Sequence, residues 1–349
     1  MTESFSQNAA RAQQLQLSLV METLEGSELC FPELLNISCR KSISPHFEYM
    51  LSYILMSVIS LLTAALNLLV ITSISHFRQL HTPTNLILLS LAVSDFFLGL
   101  LMFFQIMLLD GCWLLGDLMC ALYQYIDYVV SSASVGNMVI ISFDRYVAIC
   151  HPLHYSTQIT QKRIQVCICL CWICSVILQS LILNDILQQP GRYHSCFGEC
   201  VFFINYIAGI ADLLFSFVFP ITVIVLLYMR VFVVAVSQAH AMRSHIAAVT
   251  FQKSGKVTAK KSELKAAKTI GVVVIVFLLC LCPYYCVALT VQDNMMNTSS
   301  ATFVICLYYF NSCLNPLIYA LFYPWFRKSV KLIVTLKILQ PDSCDANIL

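Results

Sequence analysis

Seven apolar stretches, each long enough to cross a bilayer as a helix, constrain this sequence more than any other feature. A helix rises about 1.5 Å per residue, so a run of about 20 apolar residues spans the hydrocarbon core. Only 11% of the chain is charged, against about 25% in soluble domains, so most of its surface must face lipid. We predict an all-α membrane protein folded as a seven-transmembrane helix bundle. The stretches lie at roughly 50–75, 84–108, 117–149, 163–185, 201–229, 266–290 and 301–323.

The basic residues predict an orientation for this bundle. If the N-terminus lies outside, four Lys and Arg residues fall in outside segments and sixteen fall in inside segments. Cytoplasmic loops carry such an excess, so we predict a multi-pass plasma-membrane protein with an extracellular N-terminus. No cleavable leader is evident, and the start could be Met1 or Met21. The predicted divisions are an extracellular arm at 1–48, the bundle at 49–323, a short amphipathic cytoplasmic helix at 324–337 and a cytoplasmic tail at 338–349.

Two carboxylates stand alone inside the apolar stretches, Asp127 in the third and Asp212 in the fifth. An ionised group at such depth is costly in hydrocarbon and almost always faces a water-filled cavity or a partner. No Lys or Arg within the spans neutralises either acid. If both acids face one cavity, a small dication would relieve them. The alternative is that Asp212 is protonated or held by neighbouring hydroxyls.

A second set of polar residues is spread over several stretches. Polar groups inside a span point into the bundle, because lipid offers them no partners. The set predicts either a hydrated core that suits a sodium ion or hydrogen bonds that pack the helices together, and both interpretations stay open. Its members are Asn67, Asp95, Ser134, Asn311 and Asn315.

The inner end of the third stretch carries the charged triplet Asp144, Arg145 and Tyr146. An acid beside an arginine at a membrane edge favours a local ion pair. Glu263, at the start of the sixth helix, could clamp Arg145 from the same side. A clamp that breaks and re-forms is a plausible two-state switch.

The spans and a set of single residues together resemble the rhodopsin-like G-protein-coupled receptors over residues 49–336. The residues are Asn67, Asp95, Asp144, Arg145, Tyr146, Trp172, Pro220, Tyr228, Pro283 and the run Asn315 to Tyr319. Within that class, five short segments resemble the trace amine-associated receptors, and the end of the chain is similar to fish members of the diamine-recognising type. These segments lie at 30–32, 36–39, 110–113, 265–269 and 322–328.

The resemblance implies a signalling receptor and neither an enzyme nor a cofactor-dependent protein. The implied ligand is a small amine agonist, with diamines such as cadaverine or putrescine favoured and olfaction as the expected setting. The other implied partners are membrane lipid and a heterotrimeric G protein of the stimulatory class that raises cyclic AMP, with no nucleic acid. A monoamine receptor that uses Asp127 alone is the alternative, and an ion channel or transporter is a more remote one.

The resemblance also implies roles for individual residues. Asp127 matches the aspartate that binds the ligand's ammonium, and Asp212 matches an acidic position of the fish members. Aromatic faces can hold the rest of a cation, although the tyrosines have bundle packing as their alternative role. The further predicted ligand-binding residues are Tyr128, Ser131, Tyr284, Tyr285 and Tyr309, and the predicted activation residues are Asp144, Arg145, Tyr146, Glu263, Tyr228, Asn315, Pro316 and Tyr319.

Six cysteines lie outside or at the outer membrane edge, where disulfides persist. Six cysteines allow many pairings, and the resemblance implies three: Cys30 with Cys196, Cys39 with Cys112, and Cys120 with Cys200. Asn36, in an Asn-Ile-Ser sequon, is the predicted glycosylation site. No metal site is predicted.

The chain also departs from the family's pattern. Leu281 stands where the family usually has Trp, which removes the bulky ring commonly assigned to activation. Cys306 and Tyr308 occupy positions where an aromatic residue and Gly are usual. A retinal protein is excluded, because the seventh span contains no Lys for a Schiff base.

Overall fold

The computed structural model describes residues 28–41, 46–109, 111–201, 204–248, 272, 275–287, 298–340 and 343–348. Within these ranges, five helices are long and apolar enough to cross a membrane, and two further helices carry shorter apolar runs. This architecture confirms the predicted fold class. The helices are α1 (His46–His76), α2 (Pro83–Leu109), α3 (Gly116–Cys150), α4 (Gln161–Ile182), α5 (from Tyr206 to Ala248 in three segments), α6 (Ile275–Val287) and α7 (Thr298–Phe322).

Helix α3 runs through the middle of the bundle, where it packs against α2, α4 and α5. Small residues let neighbouring backbones approach closely, as is common between membrane helices. A side chain at Gly99 of α2 would come within 2.8 Å of Ala64 N on α1. A side chain at Gly136 of α3 would collide with Cys171 Sγ on α4. These glycines therefore let α2 approach α1 and α3 approach α4 closely.

Helix α5 changes its winding within its first half. An α-helical segment, Tyr206–Asp212, is followed by a π-helical turn, Leu213–Val218, and then by α-helix again at Phe219–Ala248. The Phe219 N–H donates to Leu214 O, five residues back. Pro220 comes next; a proline has no N–H to donate and displaces the carbonyl four residues before it, so a locally wider turn relieves the crowding. The π turn begins directly after Asp212.

Two of the three outer disulfides differ from the predicted pairs. Cys30 bonds Cys112, and Cys39 bonds Cys196. The predictions Cys30–Cys196 and Cys39–Cys112 are therefore wrong. The partners are exchanged between the two bridges, while both bridges still join the N-terminal arm to the outside loops.

Backbone pairing in the outer loops explains the exchange. The Phe197 N–H donates to Ile37 O at 2.6 Å, and the Cys39 N–H donates to Phe197 O at 3.0 Å. This pairing places Cys39 next to the residue before Phe197. On the other side of the same loop, the Trp113 N–H donates to Gly198 O at 2.7 Å. The arm doubles back through the Cys30 N–H, which donates to Cys39 O at 2.9 Å and so leaves Cys30 near Cys112.

The second outside loop is fastened to the top of α3 at several points. Cys120 bonds Cys200, as predicted. Asp117 Oδ1 lies 3.1 Å from His194 Nδ1. Glu199 Oε2 accepts hydrogen bonds from Ser195 N at 2.5 Å and Ser195 Oγ at 2.8 Å. Partial burial raises the pKa of Glu199, but these hydrogen bonds, a further one from the Cys196 backbone and the nearby His194 together hold the pKa below its ordinary value of 4.5.

A short helix, α8 (Pro324–Val334), follows α7 at the inner side. Trp325 and Phe326 are buried while Arg327 and Lys328 are exposed, so the helix is amphipathic. It ends before the predicted boundary at 337, because Leu336 adopts a left-handed conformation with φ 56° that turns the chain. Such a helix suits the interface between lipid headgroups and the bundle.

Candidate functional site

A cavity of about 240 Å³ opens among the outer parts of the helices. Both intramembrane carboxylates, Asp127 and Asp212, line it. So do the other predicted ligand-binding residues, which makes the whole predicted set neighbours of one space; their role in binding stays a prediction. The lining consists of Gln105, Leu108, Tyr123, Gln124, Asp127, Tyr128, Ser131, Ser132, Gln179, Cys200, Asp212, Ser216, Tyr284, Tyr285, Ile305, Tyr308 and Tyr309.

Asp127 lies on the face of α3 that looks toward α7. Its Oδ1 accepts a hydrogen bond of 2.9 Å from Tyr309 Oη. Asp127 is partly buried, and one hydroxyl is a weak substitute for the water that an ionised carboxylate would otherwise bind. The group therefore retains capacity for a charged hydrogen-bond donor.

Asp212 lies across the cavity on α5, at the residue before the π turn. It is 9% exposed. Its Oδ1 accepts hydrogen bonds from Gln179 Nε2 at 3.1 Å and from Ser216 Oγ at 2.7 Å. Neighbouring polar groups thus hold one oxygen of this acid, which is part of the alternative that the sequence left open. The same two hydrogen bonds leave Oδ2 out of the network.

Aromatic rings form a continuous arc from α5 through α6 to α7. Phe217 and Tyr285 stack with ring centroids 4.1 Å apart. Tyr284 then contacts Tyr308 at 4.7 Å, and Tyr308 contacts Tyr309 at 5.3 Å. The arc ends at the hydroxyl that binds Asp127. Its ring faces can surround the apolar part of a ligand and also stabilise a cation.

The charge of the cavity is one-sided. Among the residues that line it, two are carboxylates and none is Lys, Arg or His. Buried charges in proteins are normally paired. A small molecule with one or two ammonium groups would supply the missing counter-charge through hydrogen bonds to the carboxylates.

The deeper polar set is only partly assembled around Asp95. Ser134 Oγ donates to Asp95 Oδ1 at 3.2 Å, and Asn315 Nδ2 donates to Asp95 Oδ2 at 2.7 Å. Asn67 instead donates to backbone oxygens of α1 and α7. Asn311 Oδ1 has no hydrogen-bond partner among the described residues. Asp95, Ser134 and Asn315 therefore form one centre, and Asn67 acts in helix packing; whether a sodium ion binds there stays a prediction.

At the inner end of α3, Asp144 is fully buried and holds Arg145. Arg145 Nε donates to Asp144 Oδ2 at 2.9 Å, and Arg145 Nη2 bonds the same oxygen and donates to Thr84 Oγ1 at 2.6 Å. Tyr155 Oη donates to Asp144 Oδ1 at 2.9 Å. The predicted local ion pair is therefore present in the structure.

The other predicted activation residues fall into three groups. Glu263 lies outside the described residues, and so does the side chain of Tyr319. Tyr228 Oη is buried without a hydrogen-bond partner in the described part of the chain, and Pro316 lies inside α7. Tyr146 packs its ring against His151, with centroids 5.5 Å apart.

The prediction of the site from sequence missed several polar residues of the cavity. Gln105, Tyr123 and Gln124 line its outer part, and Gln179 and Ser216 surround Asp212. The signal that singled out Asn67 and Asp95, one polar residue among apolar ones, applies equally to Gln179 in α4. The hydrogen bond from Tyr123 Oη to Gln105 Oε1, 2.8 Å long, has no such sequence signal.

Comparison with known proteins gives consistent matches over most of the chain. Residues 66–319 match the family described as 7 transmembrane receptor (rhodopsin family). Trace amine-associated receptor 13c of Danio rerio is 35% identical over 347 residues, which cover 95% of this chain and 99% of the relative. Trace amine-associated receptor 1 of Mus musculus is 38% identical over 321 residues, 88% of this chain and 96% of the relative. Trace amine-associated receptor 9 of Rattus norvegicus is 38% identical over 334 residues, 92% and 97% of the two chains.

Proposed function

The chain belongs to the rhodopsin-family seven-transmembrane receptors and, within them, to the trace amine-associated receptors, and we propose that it recognises small diamines by placing one ammonium at Asp127 and the other at Asp212. Its family is one of multi-pass plasma-membrane receptors that respond to a small molecule and act on a G protein. The N-terminus is extracellular in this proposal, as the distribution of Lys and Arg favours.

One observation carries the diamine proposal: Asp127 and Asp212 line the same cavity, and none of its lining residues is a cation. A dication with ammonium groups at both ends of a short apolar chain satisfies both acids at once. Its methylene groups would lie against the aromatic arc between them. A monocation leaves one acid without a counter-charge.

A second candidate is a monoamine receptor that uses Asp127 alone. The observation that favours it is the pair of hydrogen bonds on Asp212, which Gln179 and Ser216 donate. Neutral donors stabilise a carboxylate but do not neutralise it, so a second ammonium at this position still gains a charge-assisted hydrogen bond. For this reason the diamine is preferred.

Signalling in this proposal begins at the cavity and ends at the Asp144–Arg145 pair. Agonist binding draws the outer ends of the helices together, and the inner ends separate to admit a G protein of the stimulatory class, with cyclic AMP as the product. An amine bound at Asp127 lies next to Tyr309, and this residue connects the ligand to the aromatic arc on α6 and α7.

The test compares cadaverine with pentylamine, which has the same carbon chain and a single amine. Cells that express the full chain are assayed for cyclic AMP, and binding to purified receptor is measured in parallel, so that coupling and recognition are read separately. Asp127→Asn should abolish both responses. Asp212→Asn should weaken the response to cadaverine and retain that to pentylamine. Equal loss of the responses to both amines in Asp212→Asn would contradict the diamine proposal, and an unchanged response to both would favour a monoamine receptor that uses Asp127 alone.

A further inference from the structure

Gln179 is a buried polar residue of α4 whose side chain is directed at the second carboxylate. It is 1% exposed and lines the cavity. Its Nε2 donates to Asp212 Oδ1 and to Ser216 Oγ, both at 3.1 Å. A glutamine amide buried inside a membrane helix is costly unless it is hydrogen-bonded, and here the hydrogen bonds go to Asp212 and Ser216.

Those two contacts are the side-chain hydrogen bonds that Gln179 makes with the described part of the chain. Its own acceptor, Oε1, is buried and has no partner there. The Gln179 amide is therefore oriented by the hydrogen bonds of its Nε2 group and not by a bond to its Oε1. Both Nε2 hydrogen bonds go to Asp212 and Ser216, so we infer that the side chain does more than pack α4 against α5.

The hydrogen bonds on Asp212 converge on one oxygen. Gln179 and Ser216 both donate to Oδ1, at 3.1 and 2.7 Å. A carboxylate has roughly four acceptor positions on its two oxygens, so Oδ2 keeps its capacity for a ligand. Since the carboxylate is otherwise free to turn about its side-chain bonds, two donors on Oδ1 select one of its orientations.

The hydrogen bond from Gln179 to Asp212 joins α4 to α5 at the point where α5 changes from an α-helix to a π turn. Ser216 belongs to the π turn itself, and Asp212 immediately precedes that turn. Gln179 is the contact from outside α5, so it fixes the acid relative to α4 and not merely relative to its own helix. An acceptor whose orientation is set before binding loses less freedom when the ligand arrives.

We propose that Gln179 is a positioning residue for Asp212: it holds Oδ1 so that Oδ2 faces the cavity, and it thereby sets the preference of the receptor for diamines over monoamines. The proposal rests on the proposed function, because it assigns Asp212 to the second ammonium. Gln179 acts through the carboxylate and has no assigned contact with the ligand.

The experiment measures concentration–response curves for cadaverine and pentylamine in Gln179→Leu, with surface expression recorded for every variant. Removing the donors should raise the cadaverine EC50 by about tenfold, as expected for a lost hydrogen bond to a charged group. The pentylamine EC50 should stay within about twofold, because Asp127 is untouched. If the Leu variant does not reach the surface, Gln179→Met, which keeps the side-chain length, replaces it.

Ser175→Ala is the matched control on the same helix. Ser175 is buried and polar like Gln179, but its hydroxyl donates to Cys171 O within α4. Both EC50 values should remain unchanged in this variant. If Gln179→Leu raises the EC50 values of cadaverine and pentylamine to the same extent, the positioning role is overturned and Gln179 has a structural role only.

A double variant separates the inference from the proposed function. In an Asp212→Asn background, Gln179→Leu should cause no further loss of cadaverine response, because the residue that it positions has lost its charge. An additional loss would overturn action through Asp212. If Asp212→Asn alone leaves cadaverine unaffected, both the proposed function and this inference fail; if Asp212→Asn is selective and Gln179→Leu is not, only this inference fails.

Discussion

Two carboxylates of α3, Asp127 in its outer half and Asp144 at its inner end, have opposite surroundings. At the inner end, Asp144 is fully buried and paired with Arg145, and Tyr155 binds its other oxygen. In the outer half, Asp127 has a hydrogen bond from Tyr309 and faces a cavity whose lining contains no basic residue. Asp144 is paired with Arg145, the next residue in the chain, whereas no basic residue lines the cavity that Asp127 faces.

The means by which the two ends are held differ as well. Disulfides fasten the outer loops and the top of α3, whereas side-chain hydrogen bonds and one ion pair hold the inner end. Covalent bonds do not exchange during signalling, but an ion pair at a membrane edge can break and re-form. The comparison indicates that the outer end of α3 keeps its conformation during signalling, whereas the ion pair at the inner end can open.

Removing the outer charge should have the largest effect. Asp127→Asn keeps the shape of the side chain and its contact with Tyr309 but removes the charge that binds an ammonium. Losing one partner of a desolvated charge pair costs about 2–5 kcal/mol, or roughly 30-fold or more in affinity. Amine binding to purified receptor measures this loss. An unchanged affinity would place the ligand elsewhere and remove the contrast between the two acids.

The covalent character of the outer end can be tested on the bridge between Cys39 and Cys196. Cys39→Ser and Cys196→Ser should each lower the stability of the receptor by about 2–5 kcal/mol, and the double variant should lose no more than either single one. Thermal unfolding of purified receptor measures the change. Peptide mapping without reductant that found Cys39 joined to Cys112 would contradict the structure.

Weakening the inner clamp should raise signalling in the absence of agonist. Asp144→Asn removes the charge that holds Arg145, and a loss of about 1.4 kcal/mol from the clamped state raises the open population on the order of tenfold. Basal cyclic AMP, normalised to surface expression, is the measurement. Thr84→Val, which removes a neutral member of the same network, should change basal signalling less. Basal signalling that falls in Asp144→Asn would show that the pair supports the active state instead.

The hydrogen bond to the outer acid should matter less than its charge. Tyr309→Phe removes the hydroxyl and keeps the ring that packs against Tyr308. A net hydrogen bond contributes about 0.5–1.5 kcal/mol, so the amine EC50 should rise by roughly threefold to tenfold. Tyr308→Phe serves as the control on the adjacent ring. A lower EC50 in Tyr309→Phe would mean that the phenol competes with the ligand for Asp127.

The smallest effect is expected for Glu199→Gln in the outside loop, where the measured quantity is the melting temperature. Because the pKa of Glu199 lies below 4.5 in the folded receptor, its contribution to stability is present above the ordinary value and is lost as the pH falls through the lowered pKa. The difference in melting temperature between the receptor and Glu199→Gln should therefore be present above pH 4.5 and shrink as the pH falls below that value. A difference that varies across neutral pH would assign the loop another titrating group.

The sequence predicts the acids of the cavity better than it predicts what surrounds them. A lone carboxylate in an apolar helix must face inward, so Asp127 and Asp212 could be assigned to the interior, and the arrangement of Asp144 beside Arg145 leaves little choice of partner. Gln179 follows the same rule but carries no charge to distinguish it from a packing residue. The disulfide partners depend on how Phe197 pairs with the N-terminal arm, a backbone register that cysteine spacing does not encode.

The π turn of α5 has a practical consequence for receptor engineering. Its surplus residue shifts the numbering of the outer segment, Tyr206–Asp212, relative to a regular helix. A chimera joined by residue-for-residue alignment of fifth helices across Leu213–Val218 would inherit a rotated outer segment and carry Asp212 off the wall of the binding chamber. Junctions placed after Phe219, in the regular part of the helix, keep the native frame intact.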